Sequence, residues 1–200
     1  MMSTTAIRYD RVMGRWPDGA TERLERAALE LYQSRGFEST TVAEIAERAG
    51  LTERTFYRHY SDKREVLFAG SSQLQHLLVR LVAEAEPSLA PIEAITAALT
   101  GAAAIFEERR SLVSQRQKVI AANPELQERE LIKLAKLAAA LAEALGQRGV
   151  PEPGATLAAE AGVTVFRVAF ERWSSGSGGL PLAAMIRDSA DQLRAVTARS

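Results

Sequence analysis

Residues 24–68 read LERAALELYQSRGFESTTVAEIAERAGLTERTFYRHYSDKREVLF. The spacing of apolar residues and glycines in this stretch decides the fold. From about Thr21 to Arg35, Leu24, Ala27, Ala28 and Leu31 recur at i, i+3, i+4 and i+7, one face of a helix. Gly36 follows as the residue that ends it, and Phe37 folds apolar contact back onto the last turn. A second helix opens at Thr41, where Thr41 and Glu44 form a T-x-x-E capping box. Val42, Ile45, Ala46 and Ala49 supply its buried face. Gly50 stops it early. Thr52 then caps a third short helix whose Phe56 and Tyr60 point inward. Ser61 is expected to cap a fourth, long helix from near Asp62 to Leu81, with Leu67, Leu74, Leu77, Leu78 and Leu81 as its stripe.

Outward from this stretch the chain reads as helix throughout. Proline and glycine punctuate it, and alternating strand patterns are absent. Helices are expected over Ile92–Phe106, Arg110–Ala121, from Asn123 and Pro124 as N-cap and first residue, over Ala155–Trp173, and from Pro181. The expected fold class is all-α with about nine helices. Three regions are expected: an N-terminal arm (1–20), a three-helix unit (21–66) and a second helical domain (67–200).

Two short helices joined by a tight glycine turn form a helix-turn-helix pattern. In such a unit the first helix crosses the DNA backbone and the second lies in the major groove. The outward face of the second is hydroxylated and basic: Thr52, Arg54, Thr55, Tyr57, Arg58 and His59, then Lys63 and Arg64. Residues 48–64 hold five cations (Arg48, Arg54, Arg58, Lys63, Arg64) against two acids (Glu53, Asp62), a balance of +3. The whole chain has 25 Lys+Arg and 25 Asp+Glu, so this basic segment is averaged away in a net charge of zero. That balance implies modest non-specific affinity for nucleic acid, leaving specific contacts and dimerisation to supply most of the binding.

The A-L-E-L-Y-x-x-R-G-F, T-T-V-x-x-I-A-x-x-A-G and T-x-x-T-F-Y-x-H-Y-x-D-K pieces together resemble the DNA-binding domain of the TetR family of transcriptional regulators. The resemblance implies phosphate contacts from Thr41, Thr52, Tyr57, His59 and Lys63, and base reading by Glu53, Arg54, Thr55 and Arg58. Arg54 departs from the glycine common there in the family; it reaches either a guanine or a phosphate. Thr41 and Thr52 serve as caps with or without DNA, Tyr57 packs or donates, and His59 is a contact or a plain surface histidine. If Lys63 holds phosphate, Lys63→Ala weakens binding to all sequences alike and lowers the salt slope by about one. Arg8, Arg11 and Arg15 either enter a minor groove or belong to a solvated tail.

The family's second domain binds a small effector and dimerises through its last two helices as a four-helix bundle, so the resemblance implies a ligand-released repressor acting on a palindromic operator. The segment SLVSQRQKVIAANPELQER is also similar to the effector domain of an actinobacterial TetR subgroup, some of whose members bind long-chain acyl-CoA, which favours a hydrophobic or anionic ligand. Charges on apolar stripes are the candidates for its anchor, and Phe166 and Phe170 are candidate ligand-binding residues beside them. Arg116 falls on the Leu112, Val113, Val119, Ile120 stripe, and Arg167 lies among Val163, Phe166 and Phe170. Each is either an anion anchor or an internal ion pair, Glu130 and Glu160 being the available partners. The homodimer is expected to bury Phe166, Phe170, Trp173, Met185, Ile186 and Leu193; the alternative is that these close a monomeric core.

Other functions are disfavoured. Cysteine is absent and histidine is limited to His59 and His76, so thiol chemistry and a multi-His metal site are excluded. Phosphate loop, nucleophile elbow and paired-acid motifs are missing, which weighs against a small all-α enzyme, and no cofactor is expected. A helical adaptor would not need the T-F-Y-R-H face. Neither an apolar signal region nor a membrane span stands out, so a cytoplasmic location is expected.

Overall fold

A computed structural model describes residues 19–176 and 179–198. Arg8, Arg11 and Arg15 of the expected arm lie outside them. Among the described residues there are nine α-helices and no strand. The chain divides into two compact units, residues 1–70 and 71–200.

The first unit holds α1 (Gly19–Arg35), α2 (Val42–Arg48), α3 (Glu53–His59) and a 3-10 helix (Glu65–Phe68). Leu24, Ala28, Tyr32, Ile45, Phe56, Val66 and Leu67 make its core. Six of these are aliphatic or aromatic without a polar tip, so the small unit is held mainly by removal of apolar surface from water.

The long fourth helix expected from Asp62 to Leu81 is two elements. Asp62 Oδ1 accepts the backbone amides of Arg64 at 2.8 Å and Glu65 at 3.3 Å, which tightens the start into a 3-10 turn. Val66, Leu67 and Phe68 are then buried consecutively, which one face of an α-helix does not allow. Gly70 takes φ +83°, a left-handed conformation that ends the turn at little cost only for glycine. The boundary expected at residues 66–67 therefore lies inside this turn.

The second unit holds α4 (Ser71–Ala83), α5 (Pro91–Glu107), α6 (Arg110–Ala121), α7 (Pro124–Gln147), α8 (Gly154–Ser174) and α9 (Leu182–Thr197). Its core joins α4, α5, α7, α8 and α9 through Leu78, Leu99, Leu141, Phe166, Trp173 and Ile186. The Ile95 side chain of α5 packs onto the α8 backbone at Gly162, where a Cβ would stand 2.5 Å from Ile95 Cγ2. Side chains from one helix close the ends of others. Arg148 donates to the carbonyls of Val82 in the last turn of α4 and of Ala85 and Glu86 just after it, at 2.6 to 3.0 Å. Glu107 Oε1 accepts the Leu182 amide at the start of α9, at 2.6 Å. These bonds satisfy helix-end groups that have no partner within their own helix. Asn123 stands at the N-cap of α7, but its side chain turns back and donates to Val119 O of α6 at 2.6 Å.

Candidate nucleic-acid interface

The α2–turn–α3 unit is set by its caps. Thr41 and Glu44 close the expected capping box: Glu44 Oε2 accepts the Thr41 amide at 2.8 Å, and Thr41 Oγ1 accepts the Glu44 amide at 3.3 Å. The Thr41 hydroxyl also donates to Glu44 at 2.9 Å. These Thr41 bonds, with the nearby Arg35 guanidinium at 2.9 Å, hold the Glu44 carboxyl below its ordinary range. At the start of α3 the Thr52 hydroxyl accepts the Thr55 amide at 3.2 Å.

With both ends fixed, α3 sorts its residues by face. Phe56 is fully buried and Tyr60 nearly so, their ring centroids 5.4 Å apart. The opposite side carries Glu53, Arg54, Tyr57 and Arg58, all exposed, with Thr55 and His59 half-buried beside them. Arg58 lies 3.4 Å from the His59 ring nitrogen. Among the described residues Arg54 and Arg58 form no ion pair with a carboxylate, so their guanidinium groups face solvent uncompensated.

The other three cations of the basic segment are engaged. Arg48 of α2 binds Glu30 of α1 through two nitrogens, at 2.7 and 2.9 Å. Arg64 pairs with Asp62 at 3.0 Å. Lys63, expected as a phosphate anchor, directs its ammonium inward: Nζ donates to the carbonyls of Phe37 at 2.8 Å, Glu38 at 3.1 Å and Thr40 at 3.1 Å, and sits 4.4 Å from the Phe37 ring centroid. Tyr32 Oη donates to the Lys63 carbonyl at 2.6 Å. Burial first, and then the negative charge of Asp62, push the Tyr32 phenol far above its usual pKa, so it remains a donor. Sequence reasoning missed this Tyr32–Lys63 tie. Its signal was a polar-tipped aromatic four residues after Ala28, on the buried stripe of α1.

The chain matches two families, described as bacterial regulatory proteins of the tetR family over residues 25–69 and as the MftR C-terminal domain over residues 89–198. It belongs to the TetR family. That family is one of bacterial regulatory proteins. Among curated proteins, this regulator is 34% identical over 77 residues to the transcriptional regulator TcmR of Streptomyces glaucescens, covering 38% of this chain and 34% of that one. It is 27% identical over 119 residues to the MftR transcriptional regulator of Mycobacterium tuberculosis, covering 60% of each. The chain thus spans from a third to three-fifths of the length of these two relatives. Among solved structures, Thermus thermophilus FadR in complex with lauroyl-CoA is 24% identical, with a TM-score of 0.55, covering 90% of this chain and 96% of that one. Bacillus subtilis FadR in complex with stearoyl-CoA is 18% identical, with a TM-score of 0.58, covering 86% and 96%. These likenesses show a common all-α fold. No helix among the described residues of the regulator is long and apolar enough to cross a membrane.

The residues expected to hold effector are placed differently. Arg116 is partly buried and bonds Glu130 at 3.3 Å and Gln117 at 2.6 Å, the internal ion pairing weighed against an anion anchor. Arg167 is not among the core phenylalanines: it shares the outer face of α8 with Glu160, Thr164 and Glu171, pairs with Glu171 at 3.3 Å, and is 46% exposed. Phe166 and Phe170 pack with Phe106 at centroid distances of 5.8 and 5.2 Å. These two residues, with Trp173, Met185 and Ile186, are buried within a single protomer, and Leu193 is half-buried against the same core. The first five thus have little surface left to bury in a dimer. The outer face of α8 carries instead Leu157, Ala161, Thr164 and Val168 at i, i+4, i+7 and i+11.

Proposed function

We propose that this TetR-family regulator is a repressor that binds a palindromic operator as a homodimer and releases it when a small effector with an apolar chain and an anionic head binds the second unit. The exposed, uncompensated pair Arg54 and Arg58 on α3 is the observation that carries the DNA reading. Two guanidiniums one helical turn apart suit bidentate donation to guanine edges or to phosphate. Glu53 and Thr55 share the base-reading role, and Thr41, Thr52, Tyr57 and His59 give phosphate contacts that fix register.

The dimer forms through the outward faces of α8 and α9. Leu157 is 66% exposed and Val168 38% exposed, on a stripe otherwise made of small Ala161 and Thr164, and such a stripe lets two helices approach closely. A two-fold axis through this face yields two reading heads, and dimers of such heads read half-sites about one helical turn apart.

The effector class is suggested by the acyl-CoA complexes of the two FadR proteins and by the segment around Arg116. An anionic head has a partner there if it displaces Glu130 from Arg116. The only effect such a ligand can have on the operator comes from unequal affinity for the two conformations. The covalent route between the units is the 3-10 helix, Gly70 and α4. The test is fluorescence anisotropy of a labelled operator duplex titrated with lauroyl-CoA, stearoyl-CoA and free CoA. Release by the acyl thioesters and not by CoA is expected. Equal operator affinity with every compound contradicts the effector class.

A further inference from the structure

Lys63 stands beside the reading helix, yet its ammonium points into the protein. A lysine ammonium has three protons, and the carbonyls of Phe37, Glu38 and Thr40 accept at 2.8, 3.1 and 3.1 Å. The Phe37 ring adds a cation–π contact at 4.4 Å. No ammonium proton is left for a phosphate while this arrangement holds. The three carbonyls belong to the loop between α1 and α2, and Thr41, the N-cap of α2, follows directly. Lys63 is tied from its other side by Tyr32 Oη on its own carbonyl at 2.6 Å. Phe37, which supplies one carbonyl and the ring, packs edge-on against Tyr32 at 5.1 Å.

We infer that Lys63 is a positioning residue for DNA recognition: it clasps the segment after α3 to the Phe37–Thr40 loop and so sets the placement of α2 and α3, without touching the DNA. The inference rests on the DNA reading proposed above, but the clasp itself is observable in the free protein. Carbonyls concentrated on one side of a short loop repel one another, and a cation at their focus offsets that repulsion. Thr40 also donates its hydroxyl to Gly36 O at 2.8 Å, so the loop is closed on itself once its carbonyls are gathered. The bonds are directional, and the carbonyls converge on one nitrogen. A planar guanidinium of the same charge spreads its donors over three nitrogens and does not reproduce that focus.

Three readouts separate a positioning role from a phosphate contact and from mere stabilisation. Lys63→Met keeps most of the stem and removes the charge; Lys63→Arg keeps the charge and changes the geometry. Operator affinity is measured for both as a function of salt, at a temperature where circular dichroism shows each variant folded. Positioning predicts that both lose about ten- to a hundredfold in operator affinity, that non-specific affinity changes little, and that the slope of log K against log salt keeps its wild-type value. A slope lower by about one in Lys63→Met, with wild-type affinity in Lys63→Arg, makes Lys63 a phosphate contact and overturns the inference. Wild-type operator affinity in a folded Lys63→Met makes the clasp merely stabilising and overturns it equally. If neither variant folds, the wild type decides. A slowly exchanging Lys63 ammonium signal in the nuclear magnetic resonance spectrum of the free protein, unmoved when operator is added, is the expected result. An ammonium signal that shifts and couples to phosphorus on DNA addition overturns the inference.

Discussion

At the residue scale, composition of a basic patch and availability of its charges are different things. Five cations within residues 48–64 suggest a reading head of +3, but the folded unit engages Arg48 with Glu30, Arg64 with Asp62 and Lys63 with three carbonyls. The charge presented by α3 comes down to Arg54 and Arg58, with Glu53 beside them. This concentrates the predicted effects. Arg58→Ala and Arg54→Ala each lower operator affinity by ~1–3 kcal/mol if the side chain reads a base, with thermal stability unchanged because both residues are exposed. Anisotropy titrations against wild-type and single-base-changed operators check this, and a base contact shows as relaxed preference at one position. The legibility of these residues was uneven for a physical reason. Side chains that alternate between faces of a helix are readable from period alone, so Phe56 and Tyr60 fall inward and Arg54 and Arg58 outward as expected. The partner of a long flexible cation depends on tertiary neighbours such as Glu30 and Phe37, which spacing does not reveal.

Asp62 gives the residue scale its pH dependence. Partial burial opposes its charge, but the Arg64 guanidinium and the Arg64 and Glu65 amides outweigh that cost and hold the carboxyl below its ordinary value. A carboxyl depressed by folding contributes stability above its unfolded pKa and loses it as pH falls through the folded value. The melting temperature of wild type is therefore expected to exceed that of Asp62→Ala most near neutrality, with the gap narrowing in acid below the usual carboxylate range. A gap independent of pH contradicts the capping role of the ionised form.

At the element scale, the helices with clear periodicity and caps lie where the sequence places them: Arg110–Ala121 agrees residue for residue. The segment from Asp62 to Leu81 does not. Leu67, Leu74, Leu77, Leu78 and Leu81 look like one continuous stripe, and that stripe conceals two local contradictions. Three successive apolar residues, Val66 to Phe68, do not share a helix face, and Ala69 and Gly70 carry a break before Ser71 opens the next helix. Arg167 shows the converse: a helix apolar on most sides tempts every charge on it into the core, whereas Glu160, Thr164 and Glu171 already marked its outer face. The close approach of α5 and α8 is the element-scale feature most open to test. Gly162→Ala places a methyl 2.5 Å from Ile95 Cγ2 and 3.3 Å from Ile95 Cβ, atoms that cannot rotate away because Ile95 is fully buried and β-branched. A loss of ~1–3 kcal/mol in unfolding free energy is expected in denaturant titration. A variant as stable as wild type contradicts the packing described.

At the scale of the whole molecule, Phe166, Phe170, Trp173, Met185 and Ile186, expected at a dimer interface, are buried within the single chain. Phe170, Trp173 and Ile186 are large apolar groups on two helices, and composition does not distinguish a face covered by the same chain from one covered by a copy. What separates them is which apolar residues stay exposed, and on α8 those are Leu157 and Val168. A chain of zero net charge gains little from non-specific attraction, and the proposed dimer adds a second reading head to a seven-residue helix that presents two guanidiniums. Selection of bound duplexes from a random-sequence pool by the full chain tests this account most directly. The account predicts an enriched inverted repeat whose half-site centres lie about one helical turn apart, with enrichment lost in Arg54→Ala/Arg58→Ala. A pool that stays random under wild-type selection, or the same repeat enriched by the double variant, contradicts it.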